Sequence, residues 1–120
     1  MQMMWKFTAT AVISCVLLGG CNRDRGDVFD RMVCARAAQE VGEAEKYAAA
    51  MVSMLKHGEV NKIVITKEQF LLKDPALDKI FLPQGDQTPP SKTLEIATSH
   101  FESSDCQYFY KSGLDIARSE

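Results

Sequence analysis

Apolar and polar positions divide the chain into three stretches that follow different rules. Phe7 to Leu18 is an almost unbroken apolar run of about 12 residues, preceded by a short start whose only charge is Lys6. Asn22 to Asp27 is wholly polar apart from Gly26. From Asp27 onward the apolar residues Phe29, Met32, Val33, Ala37, Val41, Ala44, Ala48, Met51, Val52 and Leu55 recur at three- and four-residue spacing, the period of one helix face. Asp27 is a suitable N-cap, Asp30 complements the dipole in the first turn, Lys56 and His57 lie in the last turn, and Gly58 supplies a C′ residue. The pattern predicts one helix of about 30 residues, close to 45 Å long. Its alanines, among them Ala35, Ala37, Ala38 and Ala48 to Ala50, permit a second helix to approach closely, and packing within the chain is the expected use.

Beyond Gly58 the signals are shorter. Ile63, Val64 and Ile65 form a β-branched run with no second strand to pair with, so an extended connector is expected. Thr66 and Gln69 have capping-box spacing and open a short helix through Phe70 to Leu72. Asp74 and Pro75 read as N-cap and N1 of another short helix, with Leu77, Ile80, Phe81 and Leu82 on its apolar side. Residues 83–90, rich in Pro, Gln and Gly, form a loop that ends with Thr88 as a cap and Pro89 as the first helical residue. The last helix runs through Leu94, Ala97, Phe101, Asp105 and Tyr108 to about Ser112, with Gly113 ending it and weak helix formers around Ser103 marking a break point. The expected fold is therefore all-α: a small domain over residues 28–120 of two long and two short helices.

The apolar run at the N-terminus is too short to span a bilayer, which takes about 20 residues. It is followed by Leu18, Gly19, Gly20 and Cys21. At these four residues the chain resembles the bacterial lipoprotein precursor class, whose lipobox has Leu at −3, small residues at −2 and −1, and Cys at +1. The resemblance implies that residues 1–20 are a signal peptide, that Cys21 is acylated, and that residues 21–27 are a lipidated Cys and short polar tether. Small residues before the cut leave an accessible backbone for a membrane-embedded peptidase, and two or three acyl chains give an anchoring that one would not. Asn22 in place of Asp favours the outer membrane over the inner under enteric-type sorting rules. Six tether residues reach about 20 Å at full extension, so the domain works close to its own leaflet.

Removing residues 1–20 leaves 100 of the 120 residues, enough for one domain. Lys6 is the only charged residue removed, so 13 cationic side chains face 16 acidic ones and the balance is −3. Arg23, Arg25, Arg31 and Arg36 are interleaved with Asp24, Asp27 and Asp30, so no basic stripe exists for a nucleic-acid partner. Cys15 leaves with the signal and Cys21 is the lipid site, which leaves Cys34 and Cys106. In an oxidising envelope compartment this isolated pair reads as a disulfide joining the first long helix to the last. His57 and His100 would complete a two-Cys, two-His set, but none of the spacings is that of a zinc site, and no metal or cofactor is expected.

No catalytic constellation stands out. Glu40, Glu43 and Glu45 fall among polar helix positions, Glu102 and Asp105 border the cysteine bridge, and no phosphate loop, serine triad or calcium loop is present. The most suggestive surface is Tyr108, Phe109 and Tyr110, because three consecutive aromatics on a helix point about 100° apart and cannot all enter one core stripe. The alternative puts Tyr108 in the core with its neighbours covering the helix ends. The reading is a lipid-anchored binding module rather than an enzyme, contacting another envelope protein through the Tyr108–Tyr110 region. In size, anchor and helicity it is similar to secretion pilotins, conjugation exclusion proteins and toxin-immunity proteins. The alternative class is a periplasmic chaperone-like or structural protein.

Overall fold

The computed structural model describes residues 28–119, and the chain path through them is governed by where helices stop. The helix that includes residues 28–41, α1, ends at Gly42, whose φ of +82° is a left-handed conformation natural to glycine. Gly42 N–H donates to the Gln39 carbonyl and Glu43 N–H to the Ala38 carbonyl, the reciprocal pair of a Schellman stop. The chain then reverses into α2, Ala44–Asn61. The single long helix expected over this stretch is thus a helical hairpin, and the bond from Arg31 Nε to Ser53 Oγ, 2.8 Å, sets the two arms antiparallel about Gly42.

Gly58 does not end α2. It lies buried inside the helix, and a Cβ there would come within 2.9 Å of the Ile63 carbonyl oxygen and the Ile65 side chain. The stop is Lys62, at φ +59°, with Lys62 and Ile63 N–H groups both directed at the Gly58 carbonyl. Glycine at 58 therefore lets the following segment fold back against the helix. Residues 63–66 are an extended connector, and no strand occurs among the described residues.

The two short helices form where their local signals place them. Thr66 Oγ1 accepts from Gln69 N–H and the Gln69 side chain accepts from Thr66 N–H, closing the capping box of α3, Lys67–Phe70. Asp74 accepts from Ala76 N–H at the start of α4, Pro75–Phe81. After a single 3-10 turn at Gly85–Gln87, α5 spans Pro90–Phe101. Thr88 does not cap it: its hydroxyl accepts from Gln84 N–H within the preceding loop, and Pro89 is the N-cap. Thr93 instead ties α5 to the end of α4 by donating to the Phe81 carbonyl, 2.9 Å away.

The second long helix is also divided, at Glu102 and Ser103. Ser103 Oγ donates to the His100 carbonyl and accepts from Cys106 N–H, so one hydroxyl closes α5 and opens α6, Ser104–Ser119. Gly113, expected as a stop, is buried in the middle of α6, which continues to Ser119. The all-α class and the Cys34–Cys106 disulfide hold, with each long element resolved into two helices.

α6 packs along α2 at Gly113, where a Cβ would overlap the main chain of Ala49. The alanine-rich stretch is thus used for close packing within the chain. Around this contact the core gathers Met32, Ala35, Ala38, Ala50, Met54, Leu77, Phe81 and Tyr110. No helix among the described residues is long and apolar enough to cross a membrane.

Candidate functional site

Cys21 and the rest of the Leu18–Cys21 motif lie outside the described residues. What the structure does describe is the second cysteine pair and the aromatic run beside it. Cys34 of α1 and Cys106 of α6 are bonded to each other with their Cα atoms 5.2 Å apart, and both are buried. The first turn of α6, held by Ser103, sets the position of Cys106. Neither sulfur is available as a nucleophile or a metal ligand while the bridge is intact.

The aromatic run separates as three directions on one helix demand. Tyr110 is 1% exposed, with its ring 5.2 Å from that of Phe101. Its hydroxyl donates to the Cys34 carbonyl over 2.7 Å, so α6 is tied to α1 twice at the same residue. Burial pushes the Tyr110 hydroxyl well above the usual phenol range, because the phenolate would lose its water. Phe109 is 9% exposed, and the Arg31 guanidinium lies 4.2 Å from its ring centre. Only Tyr108, 64% exposed, faces solvent, with its ring edge-on to Phe109 at 5.8 Å. The three aromatics do diverge as expected, but Phe109 and Tyr110 fill the interior and Tyr108 alone of the three is exposed, so the alternative that put Tyr108 in the core is overturned and only Tyr108 is left at the surface.

Phe109 also forms one wall of an open groove of about 350 Å³ that runs over the disulfide. Phe29, Val33 and Ile80 supply further apolar surface, while Asp30, Asp105 and His100 line it with polar groups. Asp30 and Asp105 are exposed, which gives the groove an acidic margin. The His100 ring stands 5.6 Å from Phe81. The arrangement can accept an apolar side chain flanked by basic ones, and it offers no activated nucleophile.

The other candidates remain apart. His57 sits in the last turns of α2, with Asn61 Nδ2 3.2 Å from its Nδ1 and donating to its carbonyl. Among the described residues, no three His, Cys, Asp or Glu side chains gather in a group that could hold a metal ion. Glu40 pairs with Arg36 at 2.8 Å, and Arg36 reaches Asp78 at 3.3 Å, so this carboxylate serves a link between α1 and α4. Glu43 and Glu45 are exposed around the α1–α2 turn.

Sequence reasoning missed a different surface. Of the seven large hydrophobic residues exposed among the described residues, Leu55, Val60, Val64, Phe70 and Leu71 fall between residues 55 and 71. The β-branched run at 63–65 carried that signal, but which of its members faces out depends on the fold-back over Gly58. No described protein family, curated protein or solved structure matches this chain.

Proposed function

We propose that the protein is a membrane-anchored bacterial lipoprotein of the cell envelope, acylated at Cys21 and acting as a small protein-binding accessory module. The observation that carries this reading is the order of the N-terminal signals: Lys6, the apolar run, and Leu18-Gly19-Gly20-Cys21 directly after it. A stapled helical domain beginning a few residues later supports it, as does an exposed tyrosine beside an apolar groove. Aromatic residues at such places are frequent anchors of protein contacts.

The partner that fits the groove is an envelope protein offering an apolar side chain next to a Lys or Arg, complementary to Asp105. A secretion or conjugation accessory, an entry-exclusion protein or a toxin-immunity protein are the roles this reading covers. The anchor is tested by expressing the full chain and its Cys21→Ser variant in a bacterial host. The wild-type chain should lose residues 1–20, carry acyl mass on Cys21 and remain with membranes; equal processing and membrane retention of Cys21→Ser would overturn the assignment. The binding role is tested by cross-linked pulldown of the anchored protein. One stoichiometric envelope partner lost on Tyr108→Ala supports it, and a broad set of unfolded clients would sink it.

A further inference from the structure

Two of the exposed apolar residues at 55–71, Val60 and Val64, lie at a particular end of the molecule. In the α1–α2 hairpin Arg31 is bonded to Ser53, so Val28 stands level with about Lys56, and α2 continues past it to Asn61. At 1.5 Å per residue, the end of α2 projects about 7 Å beyond Val28. The fold-back of Ile63 and Ile65 onto Gly58 leaves Val60 and Val64 at this projecting end, 64% and 83% exposed. Residues 21–27 are joined to the domain through Val28, so the proposed anchor at Cys21 is attached at the same end. At most about 25 Å of extended chain separates Cys21 from Val28.

Charge marks the same end. Residues 55–73 contain Lys56, Lys62, Lys67 and Lys73 against Glu59 and Glu68, a balance of +2. The other described residues carry 7 cations and 11 acids, a balance of −4. Lys56 and Glu59 form an exposed pair at 3.7 Å, and Lys62 stands at the turn itself, as the residue that ends α2. Exposed apolar side chains in a cationic stretch of an otherwise acidic domain match the surface of an anionic phospholipid leaflet, with the apolar groups entering the acyl boundary and the ammonium groups meeting phosphates.

We infer that the end that presents Val60 and Val64 is a second membrane contact, which seats the domain on an anionic leaflet beside its own lipid anchor. The inference rests on the proposed acylation of Cys21. A few side chains hold a bilayer weakly, but the short tether makes their insertion an intramolecular event at high effective concentration. The contact then fixes orientation: the helix hairpin stands on its tip, and the groove over the disulfide faces sideways, towards proteins of the same membrane.

The test uses the full chain in a Trp5→Phe background, purified from membranes and reconstituted into vesicles of phosphatidylethanolamine and phosphatidylglycerol. Trp5 is the chain's one tryptophan, so Val64→Trp becomes the single reporter at the tip. Leu94→Trp, an exposed position in the first turns of α5 and outside the 55–73 stretch, is the control. Both sites are exposed, so neither change disturbs the core. With acyl mass on Cys21, the Val64→Trp emission should shift to the blue and lose more than half its intensity to brominated lipid, while Leu94→Trp is unaffected. Exchanging Lys62, Lys67 and Lys73 for Glu, or phosphatidylglycerol for phosphatidylcholine, should reverse most of that quenching. Acyl mass with an unquenched Val64→Trp overturns the tip contact and leaves the anchor standing. A blue shift without quenching that grows with protein density assigns the tip to a second copy of the chain and also overturns it. Absence of acyl mass overturns the anchored reading, and the tip contact with it.

Discussion

Gly113 of α6 lies so close to the main chain of Ala49 of α2 that a Cβ on Gly113 would occupy the space of the Ala49 carbonyl group. Backbone on both sides leaves no flexible side chain to yield. Gly113→Ala should therefore separate the two helices, costing about 3 kcal/mol or more and lowering the melting temperature by more than about 10 °C. Gly42→Ala provides the comparison. Gly42 has φ +82° but nothing within 4 Å of a built Cβ, so only the backbone conformation is penalised and the loss should be about 1–2 kcal/mol. Thermal denaturation of the two variants ranks the two effects.

The Cys34–Cys106 bridge spans 72 residues and joins α1 to α6, helices from opposite ends of the domain's sequence. Loop-closure entropy for that length corresponds to about 4 kcal/mol. A 100-residue chain has only about 5–15 kcal/mol of net stability. The paired Cys34→Ser, Cys106→Ser variant should unfold at a much lower urea concentration than wild type and be rapidly cleaved by protease at growth temperature. Non-reducing mass analysis of the wild-type mature domain should find neither thiol open to alkylation.

These first two predictions rest on features that differ in how legible they were. Thr66 with Gln69 and Asp74 with Pro75 were readable because a cap is made by residues two or three positions apart, so local sequence contains the whole interaction. The division of the long helix at Gly42 was not. An apolar stripe running from Val33 through Val41 and Ala44 to Leu55 suits one straight helix, and it suits equally a hairpin that buries both arms against a third element. Gly58 and Gly113 looked like stops for the same reason. A glycine that admits a neighbouring backbone is identical in sequence to a glycine that ends a helix, and only the segment packed against it decides. The cysteine pair was legible because compartment chemistry, not geometry, argued for it. For the aromatic run, helical angles required divergent faces but could not say which face met the core.

Tyr110 joins the disulfide to a titrating group. Its hydroxyl donates to the Cys34 carbonyl from a buried position, and burial raises its pKa above the ordinary phenol value of 10.0. The unfolded chain loses this proton near pH 10 while the folded chain keeps it, so the unfolded state binds fewer protons and stability falls as pH rises from there. Below that pH the contribution is complete. Tyr110→Phe should cost about 1 kcal/mol at neutral pH, from the lost hydrogen bond. It should also remove part of the alkaline destabilisation above pH 10. Urea melts from neutral to alkaline pH, together with phenolate absorbance, test both effects; a wild-type alkaline slope unchanged in Tyr110→Phe would refute the second.

His57 presents the reverse situation, a polar atom whose removal should be tolerated. Its Nε2 is buried and has no hydrogen-bond partner, whereas Nδ1 lies near the Asn61 amide. An unpaired buried nitrogen carries its desolvation cost without compensation, and an apolar side chain of similar size does not. Asn61 keeps its bond to the His57 carbonyl whatever occupies position 57. His57→Leu should therefore be neutral or stabilising by up to about 1 kcal/mol. His57→Ala should be destabilising, because it withdraws a half-buried ring from the last turns of α2. Denaturant midpoints of the two variants separate the contributions of ring volume and ring nitrogen: a loss of equal size in both would mean that Nε2 has a partner in solution.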